Sequence, residues 1–193
     1  SLNESFSVTA DKNLLLKEYS KTIRAVGLKF FYEYMDEPIK KKLFIDLLSD
    51  PRMYIIKVHR RNLLRVYVSL RIAQKTQEWS SIAVIKETTP NKKISLSKRE
   101  CIETFEQYAK WELETQSILK IHNTPVFEVD YETLTEQPNE TLFQIQKFLG
   151  ISKQKPISLL NRQNAESLNS LIENYDALKE SCVGTAYEYF FEA

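Results

Sequence analysis

The 193-residue chain holds only three glycines, Gly27, Gly150 and Gly184, and they lie far apart. A loop that wraps a phosphate with backbone N–H groups needs clustered glycines, so none of that kind is written in these residues. Cysteine is equally scarce. Cys101 and Cys182 fit no metal-binding spacing and stand either as two thiols in a reducing compartment or as one disulfide. Charge of one sign is missing too: 27 basic and 26 acidic side chains leave a formal charge of +1. No global field then favours nucleic acid or an anionic membrane, and affinity for an anion must be local. No apolar run approaches the roughly 20 residues of a membrane helix, no secretory signal is visible, and a cytoplasmic location is expected. The length suits one domain, residues 1–193, around a single core.

What the chain does contain is organised around Met53 to Trp79. Met53 to Val58 is a short, partly β-branched apolar run that reads as a strand buried on both faces of a parallel sheet. His59-Arg60-Arg61-Asn62 is polar, and from Leu63 the apolar positions Val66, Leu70 and Ala73 return at helical spacing. The segment is therefore a strand, a two-arginine turn and a helix. Open α/β sheets bind ligands at the carboxyl ends of their strands, which places an anion at this turn. Ser69 follows Arg61 by eight residues and Arg60 by nine, about two helical turns in. Two guanidinium forks, a hydroxyl and the unpaired N–H groups of a helix start suit a phosphate; the alternative is a solvated turn with a surface serine.

Around this centre, Asp11 caps a predicted helix containing Leu14, Leu15, Leu16 and Tyr19. Arg24 to Tyr32 reads as a second buried strand in which Lys29 is the exception, either meeting an anion or snorkelling from an edge. Met35 to Leu48 is an amphipathic helix with Pro38 in its first turn, Ile39, Leu43 and Leu47 on the apolar face, and Lys40, Lys41 and Lys42 on the solvated side. Two strands and this helix make a βαβ unit with parallel pairing. Ser80 to Ser97 reads as a long functional loop, part of an acceptor-binding lid. Ser97 to Ile121 reads as one long helix, with His122 at its end. Val126 to Val129 is a third strand closed by Asp130-Tyr131-Glu132, and Glu140 to Leu149 a helix stopped at Gly150. Tyr187 to Phe191 is an aromatic tail expected to dock on the core.

The run H-R-R-N-L-L-R-x-x-V-S-L with Ala73, Thr76 and Trp79 resembles the 3′-phosphate-binding segment of the sulfotransferases. The likeness is closest to the bacterial carbohydrate group of trehalose-type, lipopolysaccharide-type and Nod-factor-type enzymes. A second likeness is D-Y-E-T-L-T-E-Q-P at Asp130 to Pro138, followed by F-L-G-I at Phe148 to Ile151. A third is Arg162-Gln163 followed by Ile172, Asn174, Tyr175 and Leu178. The resemblance spans Glu4 to about Gly184. It implies a three-layer α/β/α fold with a central parallel sheet, similar to P-loop nucleoside-triphosphate hydrolases. It implies an enzyme that moves a sulfuryl group from 3′-phosphoadenosine 5′-phosphosulfate (PAPS) to a hydroxyl of a carbohydrate or glycolipid, leaving adenosine 3′,5′-bisphosphate (PAP).

In that resemblance Glu4, in Asn3-Glu4-Ser5-Phe6, corresponds to the general base and Lys29 to the residue that stabilises charge on the bridging oxygen. Arg60 or Arg61, with Ser69, would hold the 3′-phosphate; eight-residue spacing selects Arg61 and nine selects Arg60. Arg162 and Gln163 would close over the 3′-phosphate and adenine, and Tyr131 would pack beneath the cofactor loop. No metal is implied. The family's first strand and its 5′-phosphosulfate loop, such as R-S-G-S/T-T-L, have no counterpart after Ser1. The chain is therefore expected to be part of a larger enzyme, and inactive if nothing precedes Ser1. Other readings are a module that binds PAP or a partner without transfer, and a nucleotide kinase, which lacks its glycine-rich lysine loop here.

Overall fold

The computed structural model describes residues 20–79, 91–155 and 163–191. In chain order these form a 3-10 helix at Tyr32–Asp36, α1 at Pro38–Leu48, β1 at Ile55–His59, α2 at Leu63–Thr76 and α3 at Lys98–His122. β2 at Val126–Asp130, α4 at Tyr131–Glu136, α5 at Pro138–Phe148, α6 at Leu168–Leu171, α7 at Tyr175–Cys182 and a 3-10 helix at Glu188–Phe191 follow. The fold is thus mixed helix and sheet. No described helix is long and apolar enough to cross a membrane. The chain divides into two compact units, the first made of Ser1–His59 and Tyr108–Lys155, the second of Arg60–Gln107 and Pro156–Ala193.

The first unit holds the sheet. β1 and β2 pair in parallel, Ile55 opposite Val126 and His59 opposite Asp130. Among the described residues the sheet has these two strands. Ile55 donates its N–H to the Pro125 carbonyl at 2.9 Å, which sets the register. Met35, Phe44, Leu48 and Leu119 form the core, flanked by Phe30, Ile55, Trp111, Ile118 and Val126. Helix α1 starts with Pro38, whose absent N–H costs nothing in a first turn. It buries Leu43, Phe44, Leu47 and Leu48. Ile39, expected on that face, is 70% exposed, because position 39 lies before the stripe that meets the sheet. Lys40, Lys41 and Lys42 are on the solvent side and pair with Glu37, Glu114 and Asp46 respectively.

Two expectations for this unit are corrected. The strand expected over Arg24 to Tyr32 does not form, and Lys29, left open between an anion partner and an exposed edge, is exposed. No backbone hydrogen bond joins 24–30 to other described residues, and an extended segment without a partner cannot become a ladder strand. Strand β1 is also not buried on both faces: Lys57 is 5% exposed, whereas Ile56 and Val58 are 39% and 41% exposed. Alternation sends these side chains to opposite faces, and described residues cover only one of them. The stop at Gly150 is as expected. Gly150 adopts φ +65°, its N–H donates to the Lys147 carbonyl at 3.1 Å, and Ile151 N–H donates to Gln146 at 3.0 Å. This is a Schellman closure, which requires the left-handed conformation that glycine adopts without strain.

In the second unit the core comprises Leu64, Tyr67, Val68 and Ile72 of α2, Cys101 and Phe105 of α3, Ile94, Leu96, Leu168, Leu171, Ile172, Leu178, Cys182, Phe190 and Phe191. The aromatic tail docks as expected: Phe105 meets Phe190 edge-on with ring centroids 4.9 Å apart. Tyr175 donates its hydroxyl to the Phe191 carbonyl at 2.9 Å. Cys101 and Cys182 are both buried free thiols. Burial first, then the neighbouring Cys182 sulfur, pushes the Cys101 thiol up to about 12. Helix α3 begins at a reciprocal cap: the Glu100 N–H donates to Ser97 Oγ at 3.2 Å while the Ser97 N–H donates to Glu100 Oε2 at 3.3 Å. Between Asn164 and Asn174 only the single turn Leu168–Leu171 is helical. Asn174 ties 94–97 to this region, accepting from Leu96 N–H at 3.0 Å and donating to the Leu96 carbonyl at 2.8 Å.

Candidate anion-binding site

The predicted anion segment lies at the start of the second unit. Asn62 caps α2: its Oδ1 accepts from Arg65 N–H at 3.1 Å and its Nδ2 donates to the Phe190 carbonyl at 2.8 Å. Both amide ends are used inside the fold, so Asn62 belongs to the scaffold of the turn. Arg60 and Arg61 immediately precede this cap, Arg61 exposed and Arg60 half-buried. Along α2, Arg65 and Ser69 are three and seven positions beyond Asn62 and share one stripe of the helix. Ser69 is about 10 Å up the axis from the cap at 1.5 Å per residue.

That stripe is met by residues 163–167. Asn164 Nδ2 donates to Ser69 Oγ at 3.3 Å, and Arg65 Nη1 donates to the Glu166 carbonyl at 3.1 Å. Lys92 Nζ pairs with the Glu166 carboxylate at 2.8 Å, and this hydrogen bond holds the Glu166 carboxyl below its usual range. Asn164 has φ +49°, a left-handed conformation that asparagine tolerates better than most residues. The half-buried Gln163 precedes it. Ser69 accepts from Asn164, and its own hydroxyl proton meets no acceptor among the described residues. Chemically, the stripe offers a hydroxyl donor and a guanidinium, with two more guanidiniums just before the helix.

Of the residues singled out in the sequence, Arg60, Arg61, Ser69 and Gln163 thus belong to one unit, and Ser69 is joined to the residue after Gln163. Arg162 and Glu4 lie outside the described residues, as do residues 80–90 of the expected lid. Lys29 belongs to the first unit, where its Nζ sits 4.5 Å from the centroid of the Phe31 ring. Tyr131 opens helix α4 directly at the end of β2. Sequence reading missed Arg65, Asn164 and Lys92. Arg65 was recoverable, since it precedes Ser69 by four residues on a helix; Asn164 and Lys92 carry no local pattern.

A second polar pair stands at the carboxyl ends of the two strands. His59 Nε2 and Asp130 Oδ1 are 2.9 Å apart, and the register pairing of these residues accounts for it. His59 Nδ1 is buried with no hydrogen-bond partner among the described residues. No group of acidic, histidine or cysteine side chains able to hold a metal occurs among the described residues. Comparison of the chain with family models, with curated proteins and with solved structures finds no match.

Proposed function

We propose that the chain is a PAPS-dependent sulfotransferase domain whose central sheet belongs to a three-layer α/β/α fold of the P-loop-like kind. The acceptor is a hydroxyl of a carbohydrate or glycolipid. In the reaction the acceptor oxygen attacks sulfur, the bond from sulfur to the 5′-phosphate oxygen breaks, PAP leaves, and the acceptor proton passes to a base. Glu4 fills the role of base and Lys29 that of electrostatic stabiliser. The 3′-phosphate is held by Arg60 or Arg61 together with Ser69, closed over by Arg162 and Gln163.

The observation that supports this most is the hydrogen bond between Asn164 and Ser69. The motif in α2 and the Arg162-Gln163 motif are more than ninety residues apart in sequence, yet the residue after Gln163 touches the serine assigned to the phosphate. A two-part clamp requires that meeting, and a solvated turn does not. The N–H groups and positive end of α2 add to the attraction for a dianion.

Calorimetric titration with PAP tests the proposal. Micromolar binding is expected. Removal of the phosphate-holding guanidinium, by Arg61→Ala or Arg60→Ala, should weaken it by about 2 kcal/mol, the contribution of a hydrogen bond to a charged group. Ser69→Ala should weaken it by about 1 kcal/mol. Absence of PAP binding, or full affinity in all three variants, removes the assignment. PAP binding without sulfation of any sugar hydroxyl would retain the clamp and refute the transfer.

A further inference from the structure

Residues 163–167 lie against the stripe of α2 that carries Ser69, and the charge that anchors them comes from another part of the chain. We infer that Lys92, acting through Glu166, is a positioning residue for the anion site. The pair fixes this segment so that Asn164 and Ser69 present their donors together to one phosphate group. The inference rests on the phosphate-clamp reading and adds to it a residue outside the clamp.

Three observations lead to Lys92. The first is the way Glu166 is held. Its carbonyl accepts from Arg65 Nη1 at 3.1 Å, and its carboxylate accepts from Lys92 Nζ at 2.8 Å. One residue is thus fixed at its backbone by α2 and at its side chain by a segment that α2 does not contain. The second is the geometry of Asn164, two residues earlier. Its φ of +49° is a conformation that a residue with a Cβ keeps only where its surroundings hold it. Its bond to Ser69 is 3.3 Å long, past the usual limit of about 3.2 Å, and is too weak to hold the segment by itself. The anchor at Glu166 supplies what that bond does not.

The third observation is what Lys92 is attached to. Two residues on, the buried Ile94 forms a parallel bridge with Ile172. Ile94 N–H donates to the Leu171 carbonyl at 2.9 Å, and Glu173 N–H donates to the Ile94 carbonyl at 2.8 Å. Ser95 Oγ donates to Asn174 Oδ1 at 3.2 Å. Lys92 therefore projects from backbone that is itself tied down, and its side chain is 27% exposed, so pairing with Glu166 costs it little further freedom. The Glu166 carboxylate neutralises the ammonium, which leaves Lys92 to contribute position and little attraction. The donors it positions are a hydroxyl and an amide. Ser69 accepts from Asn164 and turns its own O–H elsewhere, and Asn164 Nδ2 has a second N–H beyond the one given to Ser69. Two such protons suit two oxygens of one phosphate, whose charge strengthens both bonds.

The test is calorimetric titration of the 193-residue chain with PAP and with adenosine 5′-monophosphate, which lacks the 3′-phosphate. Lys92→Met should weaken PAP binding about threefold, as loss of a partly exposed ion pair does, and leave the monophosphate unaffected. Lys92→Arg, which keeps a cation for Glu166, should bind PAP as the parent does. Lys92→Glu and Glu166→Lys should each weaken PAP binding by about threefold or more, and the two together should restore it to within about twofold. Equal losses for both nucleotides, or no recovery in the exchanged pair, would make Lys92 a purely structural residue and overturn the inference. Tighter PAP binding in Glu166→Gln would show that a released Lys92 meets the phosphate itself, which overturns it as well. Micromolar PAP binding that is unchanged in Lys92→Met overturns the inference and leaves the clamp standing, whereas no PAP binding by the parent chain removes both.

Discussion

The side chain of Lys57 is the most consequential charge in the first unit, and the effect of taking away its partner can be worked out. Lys57 points from β1 to the covered face and is only 5% exposed. Its ammonium is in ion-pair contact with the Glu112 carboxylate of α3 and lies 3.4 Å from Glu128 of β2. Burial raises the carboxyl of Glu112, but the ion pair with Lys57, the nearby Tyr32 hydroxyl and the hydrogen bond from Gln116 outweigh it, so that the group is held below its ordinary range. The adjacent Tyr32 phenol is pushed well above its usual value by burial and by the Glu112 charge. Glu112→Gln keeps the shape and removes the charge, leaving a buried ammonium whose remaining counter-ion, Glu128, is more than half exposed. Loss of one partner from a buried pair destabilises by about 3–5 kcal/mol, and the remaining Glu128 contact brings the expectation to about 3 kcal/mol. In the double variant Lys57→Met/Glu112→Gln no buried charge is stranded, and stability should return to within about 1 kcal/mol of the starting protein. Urea unfolding followed by Trp111, which donates its indole N–H to Asp36 at 2.9 Å in the same unit, reads this directly when Trp79 is replaced by Phe. A loss below about 0.5 kcal/mol in Glu112→Gln, or a double variant worse than the single one, would refute the reasoning.

Two further outcomes follow from the same principles. Asn62→Ala removes the cap of α2 and strands the buried Phe190 carbonyl, and it should cost about 2–3 kcal/mol in urea unfolding, with Asn62→Asp recovering the cap but not the donor to Phe190. The lowered carboxyl of Glu112 contributes stability above the ordinary glutamate value of 4.5, and that contribution is lost as pH falls through the lower folded value. The urea midpoint should therefore hold from about pH 7 to pH 5 and decline below it, with a smaller decline in Glu112→Gln than in the parent protein.

The elements whose sequence carries its own period were legible without a structure. Helix α2 after the two arginines, the long helix α3, strand β2 and the stop at Gly150 all lie where spacing places them, because periodicity and capping are local properties. The capping pair Ser97 and Glu100 and the proline in the first turn of α1 are likewise written in adjacent residues. Even the docking of Phe190 and Phe191 followed from composition, since a row of exposed aromatics is unfavourable. The likeness that suggested a phosphate clamp also rested on local runs of residues.

Tertiary structure decided what depends on partners distant in the chain. The apolar run at residues 24–31 looks like a strand, but a strand exists only when another backbone meets its hydrogen bonds, and no described residue does so. Lys57 reads as an intruder in an apolar strand until α3 brings Glu112 to it. His59 and Asp130 become a pair only through the parallel register, and Asn164 reaches Ser69 only because the chain returns to α2 after ninety residues. Sequence records short-range propensity and pattern, which a few neighbouring dihedrals express. Contacts across many residues appear only once burial and hydrogen bonding over the whole unit have fixed which segments lie together.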